Sequence, residues 1–135
     1  MPNLKPELSN KSKYWIPKHR YYELKHYCLQ YPHWKELYGR LELKLTEHSE
    51  VKSSIPGKPV ERVAILRADL KRAMDLVERC CKDAFPELYF SLLLGVTEGR
   101  TYEQLQASVQ IPCSRDMYYD RYRKFFYILS QRRGL

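Results

Sequence analysis

The sequence predicts an all-α protein of about six helices: an N-terminal αα-hairpin, a long central helix and a C-terminal helix-turn-helix. Three observations predict it. Apolar residues recur at alternating three- and four-residue spacing in successive segments, which puts them on one helical face. Prolines and a glycine punctuate these segments at Pro17, Pro32, Pro86 and Gly99, where they start or stop helices. Thr101 and Ser114 precede the last two segments as N-caps.

Taken in order, residues 1–12, MPNLKPELSNKS, hold few large apolar groups and predict a loose or partner-ordered arm. Tyr21, Leu24, Cys28 and Tyr31 share a face of a first helix whose first turn suits Pro17. Pro32 ends it and opens a second, with Trp34, Leu37, Leu41 and Leu45 in register; the alternation Leu41, Leu43, Leu45 leaves a strand open there. Residues 46–59, TEHSEVKSSIPGKP, lack periodicity and predict a linker. The expected organisation is therefore an N-terminal helical arm and linker over 1–58 and a helix-turn-helix domain over 59–135.

After the linker, Val63, Leu66, Leu70, Ala73, Val77, Cys80 and Ala84 form the most regular seam in the chain. Such a seam over 63–84 serves either as a homodimer contact or as an intramolecular spine. Pro86 opens a helix with Leu88, Tyr89, Leu92, Leu93 and Val96 on one face, and Gly99 stops it. Thr101 with Gln104 three residues on forms a capping box. A short helix to about Ser108, a turn at Val109–Pro112 and a final helix begun by Ser114 complete the pattern. In that helix Tyr118, Tyr122, Phe125, Phe126 and Leu129 are the expected packing face, and Arg115, Asp116, Tyr119 and Arg123 lie opposite, with Asp120 and Lys124 at the margin.

Net charge is +8 over 135 residues and is unevenly placed. Residues 1–31 carry +4, residues 114–135 another +4, and the middle is nearly balanced. Cations gathered at the two ends imply polyanion-facing surfaces, with nucleic acid the first candidate. Twelve tyrosines against four phenylalanines give rings that pack while their hydroxyls stay wet, which suits a contact surface. Near the N-terminus Tyr14, Trp15, Lys18, His19, Arg20, Tyr21, Tyr22, Lys25, His26 and Tyr27 interleave rings and cations, a mixture that fits either nucleic-acid backbones or a core with wet tips.

No apolar run approaches the ~18 residues of a membrane span. Cys28, Cys80, Cys81 and Cys113 follow no leader-like segment, so reduced thiols and a cytoplasmic location are expected. His19, His26 and His33 recur at seven, not three or four, and there is no Cys-x-x-Cys, so no metal or other cofactor is expected. Without a Gly-rich phosphate loop or an evident catalytic set, the chain does not read as an enzyme. Cys113 at a helix start reads as a packing or capping neighbour, although helix N-termini do stabilise thiolates.

The segment EGRTYEQLQASVQIPCSRDMYYDRYRKFF resembles the helix-turn-helix of region 4 of bacterial sigma factors. Together with the long charged helix ERVAILRADLKRAMDLVERCCKDA and the apolar helix after it, the layout of residues 60–133 resembles small Gram-positive phage and prophage late-transcription regulators of the RinA/ArpU type. The turn VQIPC departs from the pattern by lacking a glycine, and Gln106 stands where a small residue is common. The resemblance implies a sequence-specific DNA-binding transcription regulator. Arg115, Tyr119 and Arg123 would then read bases in the major groove, and Arg100, Thr101, Arg121, Lys124 and Arg132 would lie near the phosphate backbone. Implied partners are double-stranded DNA and RNA polymerase or another host protein. Two other readings stay open: a phage-encoded protein that inhibits a host nucleic-acid enzyme, and a small DNA-packaging subunit.

Overall fold

The computed structural model describes residues 13–50 and 58–134. Every regular element among them is helical: α1 (Lys18–Leu29), α2 (Tyr31–Glu50), α3 (Lys58–Ala84), a 3₁₀ turn (Pro86–Leu88), α4 (Tyr89–Glu98), α5 (Tyr102–Val109) and α6 (Arg115–Arg133). The all-α expectation of about six helices holds. Leu41, Leu43 and Leu45 lie inside α2, not in a strand, and Leu43 is 66% exposed. α2 also extends to Glu50, so the first five residues of the expected linker are helical. Residues 51–57 of that linker, and the arm 1–12, lie outside the described residues.

Local chemistry fixes most boundaries. Pro17 is the N-cap of α1, one position earlier than expected, and its carbonyl accepts from the Tyr21 N–H at 2.9 Å. Pro86 begins the 3₁₀ turn. Gly99 ends α4 at φ +68°, a conformation glycine adopts without a Cβ penalty. Thr101 caps α5 through the predicted box: its hydroxyl accepts from the Gln104 N–H and the Gln104 carboxamide accepts from the Thr101 N–H at 2.8 Å. Ser114 caps α6 by accepting from the Met117 N–H at 3.1 Å, and Asp116 sits in the first turn, at the positive end of the helix dipole.

The chain divides into two compact units. One comprises described residues 13–30 and 76–134; the other is Tyr31–Asp75. The expected boundary at residue 58 falls inside the second of these units. α1 belongs with the C-terminal helices because its face of Tyr21, Leu24 and Cys28 is buried against α4 and α6. Arg20 reinforces the attachment: its guanidinium donates to the Ser130 hydroxyl at 3.1 Å, to the Ser130 carbonyl at 3.0 Å and to the Gly134 carbonyl. A cation on the last carbonyls of α6 also complements that helix dipole. Arg133 stacks over the Tyr27 ring at 3.8 Å.

In the unit containing α6, Leu24, Cys28, Val77, Cys80, Cys81, Leu92, Leu105, Tyr118, Phe125, Phe126 and Leu129 are fully buried. Val77, Cys80 and Ala84 are buried inside this unit and act as its internal spine. Ile65 and Leu66, at 62% and 42% exposed, are the part of α3 still open to a partner. In the smaller unit, the Arg67 guanidinium lies 4.1 Å from the Tyr38 ring and 3.5 Å from Glu42.

Burial dictates how this core responds to alkali. It pushes the Cys80 thiol up to about 11, with Arg132 partly opposing the shift, and raises Cys28 and Cys81 well above the ordinary thiol value. The hydroxyls of Tyr118 and Tyr122 are also raised by burial. A raised folded pKa contributes stability that is intact below the unfolded value and is lost as pH climbs toward the folded one. For the thiols this window opens near pH 9, and each group removes about 1.4 kcal/mol per pH unit within it. In reducing buffer the melting temperature is expected to hold up to about pH 8.5 and then fall steeply. An unchanged midpoint at a pH near 10.5 would contradict the buried-thiol core.

Candidate nucleic-acid interface

α5, the turn and α6 are held together by side chains that the sequence pattern did not single out as structural. The Gln106 carboxamide pairs with the backbone of Ile111 in both directions: it accepts from the Ile111 N–H at 3.1 Å and donates to the Ile111 carbonyl at 2.7 Å. The same amide nitrogen donates to the Tyr102 hydroxyl at 2.6 Å, which in turn donates to the Cys113 carbonyl at 2.5 Å. Ile111, 3% exposed, is thereby pinned into the core. Gln110 takes the left-handed position of the turn, φ +51°, where a glycine is usual. The missing glycine is thus offset by a side-chain clamp, and the unexpected Gln106 is that clamp.

Tyr119 requires a correction. It was expected on the reading face but is 4% exposed. Its hydroxyl accepts from the Tyr102 N–H at 3.2 Å, satisfying a donor that the start of α5 leaves without an intrahelical partner. Its ring meets Tyr118 edge-on at 5.1 Å between centroids. α6 is covered by α1 and α4 as well as by the start of α5, so its buried stripe is wider than the one the spacing implied. Tyr118, Tyr119, Phe125, Phe126 and Leu129 are all inside, and Tyr122, also packed, shares a 2.7 Å hydroxyl contact with Tyr21.

The other expected contacts divide into engaged and free. Arg115 is a third exposed, donates to Glu103 at 3.0 Å and stacks over Tyr119, so it straps α6 to α5. Arg100 pairs with Glu98 at 2.8 Å and reaches the Ser108 hydroxyl. The Thr101 side chain is the α5 cap. Arg121 pairs with Asp120 at 2.9 Å and lies 5.8 Å from the Phe85 ring, and Arg132 pairs with Asp83 on α3. Arg123 and Lys124 are half-exposed and form no ion pair among the described residues. Projected at 100° per residue, the outward side of α6 runs through Asp116, Asp120, Arg123, Lys124 and Tyr127. Asp120 pairs with its neighbour Arg121 rather than with Lys124, and Asp116 forms no ion pair among the described residues.

Among the described residues no helix is long and apolar enough to cross a membrane. Among the same residues no group of three or more His, Cys, Asp or Glu is placed to hold a metal ion. The chain matches no protein-family model, no curated protein and no solved structure.

Proposed function

We propose that the chain is a double-stranded-DNA-binding transcription regulator of phage or prophage type, with α6 as the helix that enters the major groove. The observation that carries it is the pairing of a hydrogen-bonded α5–turn–α6 unit with two cations on the outward side of α6, Arg123 and Lys124, that have no ion-pair partner among the described residues. Arg123 is the base-reading candidate, since a guanidinium bonds guanine bidentately, and Asp116, exposed at the helix start, can accept from the cytosine amino group. Lys124 supplies phosphate attraction without sequence preference. Arg115, held by Glu103, presents its remaining donors at the edge of the same surface.

A gel-shift titration across salt, using DNA from upstream of the protein's own coding region, tests this. Arg123→Ala is expected to cost about 1–3 kcal/mol on the preferred site and to flatten sequence preference, and Lys124→Ala to weaken all sequences alike. Variants that bind as well as the parent would exclude α6 as the reading helix. Asp116 and Asp120 on the outward side favour a second reading, a phage-encoded inhibitor that docks on a host nucleic-acid enzyme. A stable protein complex without DNA affinity would support that reading instead.

A further inference from the structure

α1 carries a basic face that the α5–α6 surface does not use. Tyr21, Leu24 and Cys28 are its buried side. At 100° per residue a stripe of Lys18, Tyr22, Lys25 and Leu29 runs alongside that buried side, about a quarter turn from it, and His19, His26 and Glu23 lie on the side opposite the core. The preceding residues extend it with Lys13 and with Trp15, which is 38% exposed. Rings and cations alternate in space as well as in sequence: the Lys13 ammonium is 5.0 Å from the Tyr14 ring and that of Lys25 is 6.0 Å from the Tyr22 ring.

What marks the stripe as a polyanion surface is the fate of the only carboxylate on its helix. Glu23 is the sole acidic side chain of α1, and Arg20 takes it. Arg20 is itself anchored on Ser130 at the end of α6, so this ion pair belongs to the attachment of α1 to the core and leaves the stripe uncompensated. Among the described residues Lys13, Lys18 and Lys25 form no ion pair. A face of lysines with interleaved aromatic rings and no carboxylate ion-paired to those lysines among the described residues fits a phosphate backbone, where each ammonium displaces condensed counterions.

We infer that the α1 stripe is a second contact with the phosphate backbone of duplex DNA, carried on the same compact unit as α6. It supplies affinity without sequence preference, and it rests on duplex DNA being the partner. The test uses the full chain, a mixed-sequence duplex and fluorescence anisotropy over a salt series. Lys18→Ala with Lys25→Ala is expected to weaken binding to every sequence alike and to reduce the slope of log K against log salt by about 1.8, two phosphates at roughly 0.9 each. Lys18→Arg with Lys25→Arg is expected to keep the parent slope, and melting temperatures of both variants should match the parent because these side chains are at the surface.

An unchanged slope in the alanine variant, alongside weakened binding by Arg123→Ala, would overturn the inference while leaving α6 as the reading helix. A parent protein with no affinity for duplex DNA overturns both. Binding of polyglutamate but not of duplex would assign the stripe to an acidic protein and overturn it as well.

Discussion

Alanine at Gly95 is expected to destabilise the fold by about 1–3 kcal/mol, the range of overpacking in a closed core. Gly95 lies on α4 facing Tyr118 of α6, and a Cβ there would run into the Tyr118 hydroxyl, well inside van der Waals contact. The ring cannot retreat, because it is fully buried and packed against Tyr102, Tyr119 and Tyr122. The Tyr118 hydroxyl is also buried without a hydrogen-bond partner among the described residues. An orphaned buried hydroxyl costs about 1–3 kcal/mol in desolvation, so Tyr118→Phe alone is expected to be neutral or stabilising in a denaturant melt.

The two substitutions are coupled. Once the hydroxyl is gone, the nearest neighbours of a Cβ at position 95 are the ring Cζ at 3.3 Å and a Leu105 methyl at 3.4 Å, tight but tolerable. Gly95→Ala with Tyr118→Phe should therefore recover most of the loss, helped by roughly 1 kcal/mol of helix propensity for alanine over glycine. Additive effects, with the double variant as unstable as Gly95→Ala, would show that the α4–α6 approach is not set by this contact.

Replacing Gln106 with alanine is the second large effect, at about 2–3 kcal/mol of stability and a larger loss of DNA affinity. The substitution leaves the Ile111 N–H without its partner at a part-buried site, an unsatisfied donor that costs about 1–3 kcal/mol, and removes one of the two bonds to the Ile111 carbonyl, which keeps the Cys113 N–H at 2.9 Å. The clamp also fixes Ile111 beside Gln110, whose left-handed conformation costs a non-glycine residue about 1–2 kcal/mol. Gln106→Glu keeps an acceptor for the Ile111 N–H but loses the donor to the Ile111 carbonyl, so an intermediate loss is expected. A denaturant midpoint for Gln106→Ala within about 0.5 kcal/mol of the parent, the range of an ordinary surface change, would contradict the clamp.

Sequence patterning went furthest where physics is local. Caps at Thr101 and Ser114, the stop at Gly99 and the starts near Pro17, Pro32 and Pro86 depend on a few adjacent residues, and all lie where the pattern placed them to within a residue or so. The packing face of α6 was only half legible. Helical spacing identifies Tyr118, Tyr122, Phe125, Phe126 and Leu129, but it cannot tell how many neighbours cover the helix, and the hydroxyl of Tyr119 is claimed by the start of α5.

Long-range partnerships were beyond reach. Arg20 read as one more cation of a basic stretch until Ser130 and Gly134, more than a hundred residues away, were placed beside it. The same holds for Gln106, whose meaning depends on a turn conformation that no periodicity encodes. A small residue facing an aromatic ring is likewise invisible in one dimension, which hid Gly95. What the pattern supplied at the interface was a set of cations, and the fold sorted them: Arg100, Arg115, Arg121 and Arg132 have carboxylate partners, while Arg123 and Lys124 have none among the described residues.

The measurement that bears most directly on α6 as a DNA-reading helix is selection of bound duplexes from a random-sequence pool, run in parallel for the parent chain and for Arg123→Ala. The parent is expected to enrich a defined motif, and the variant to lose preference at one guanine position while keeping the rest of the motif and its fold. Recovery of no motif by the parent, or of the same motif undiminished by the variant, would contradict base reading by α6.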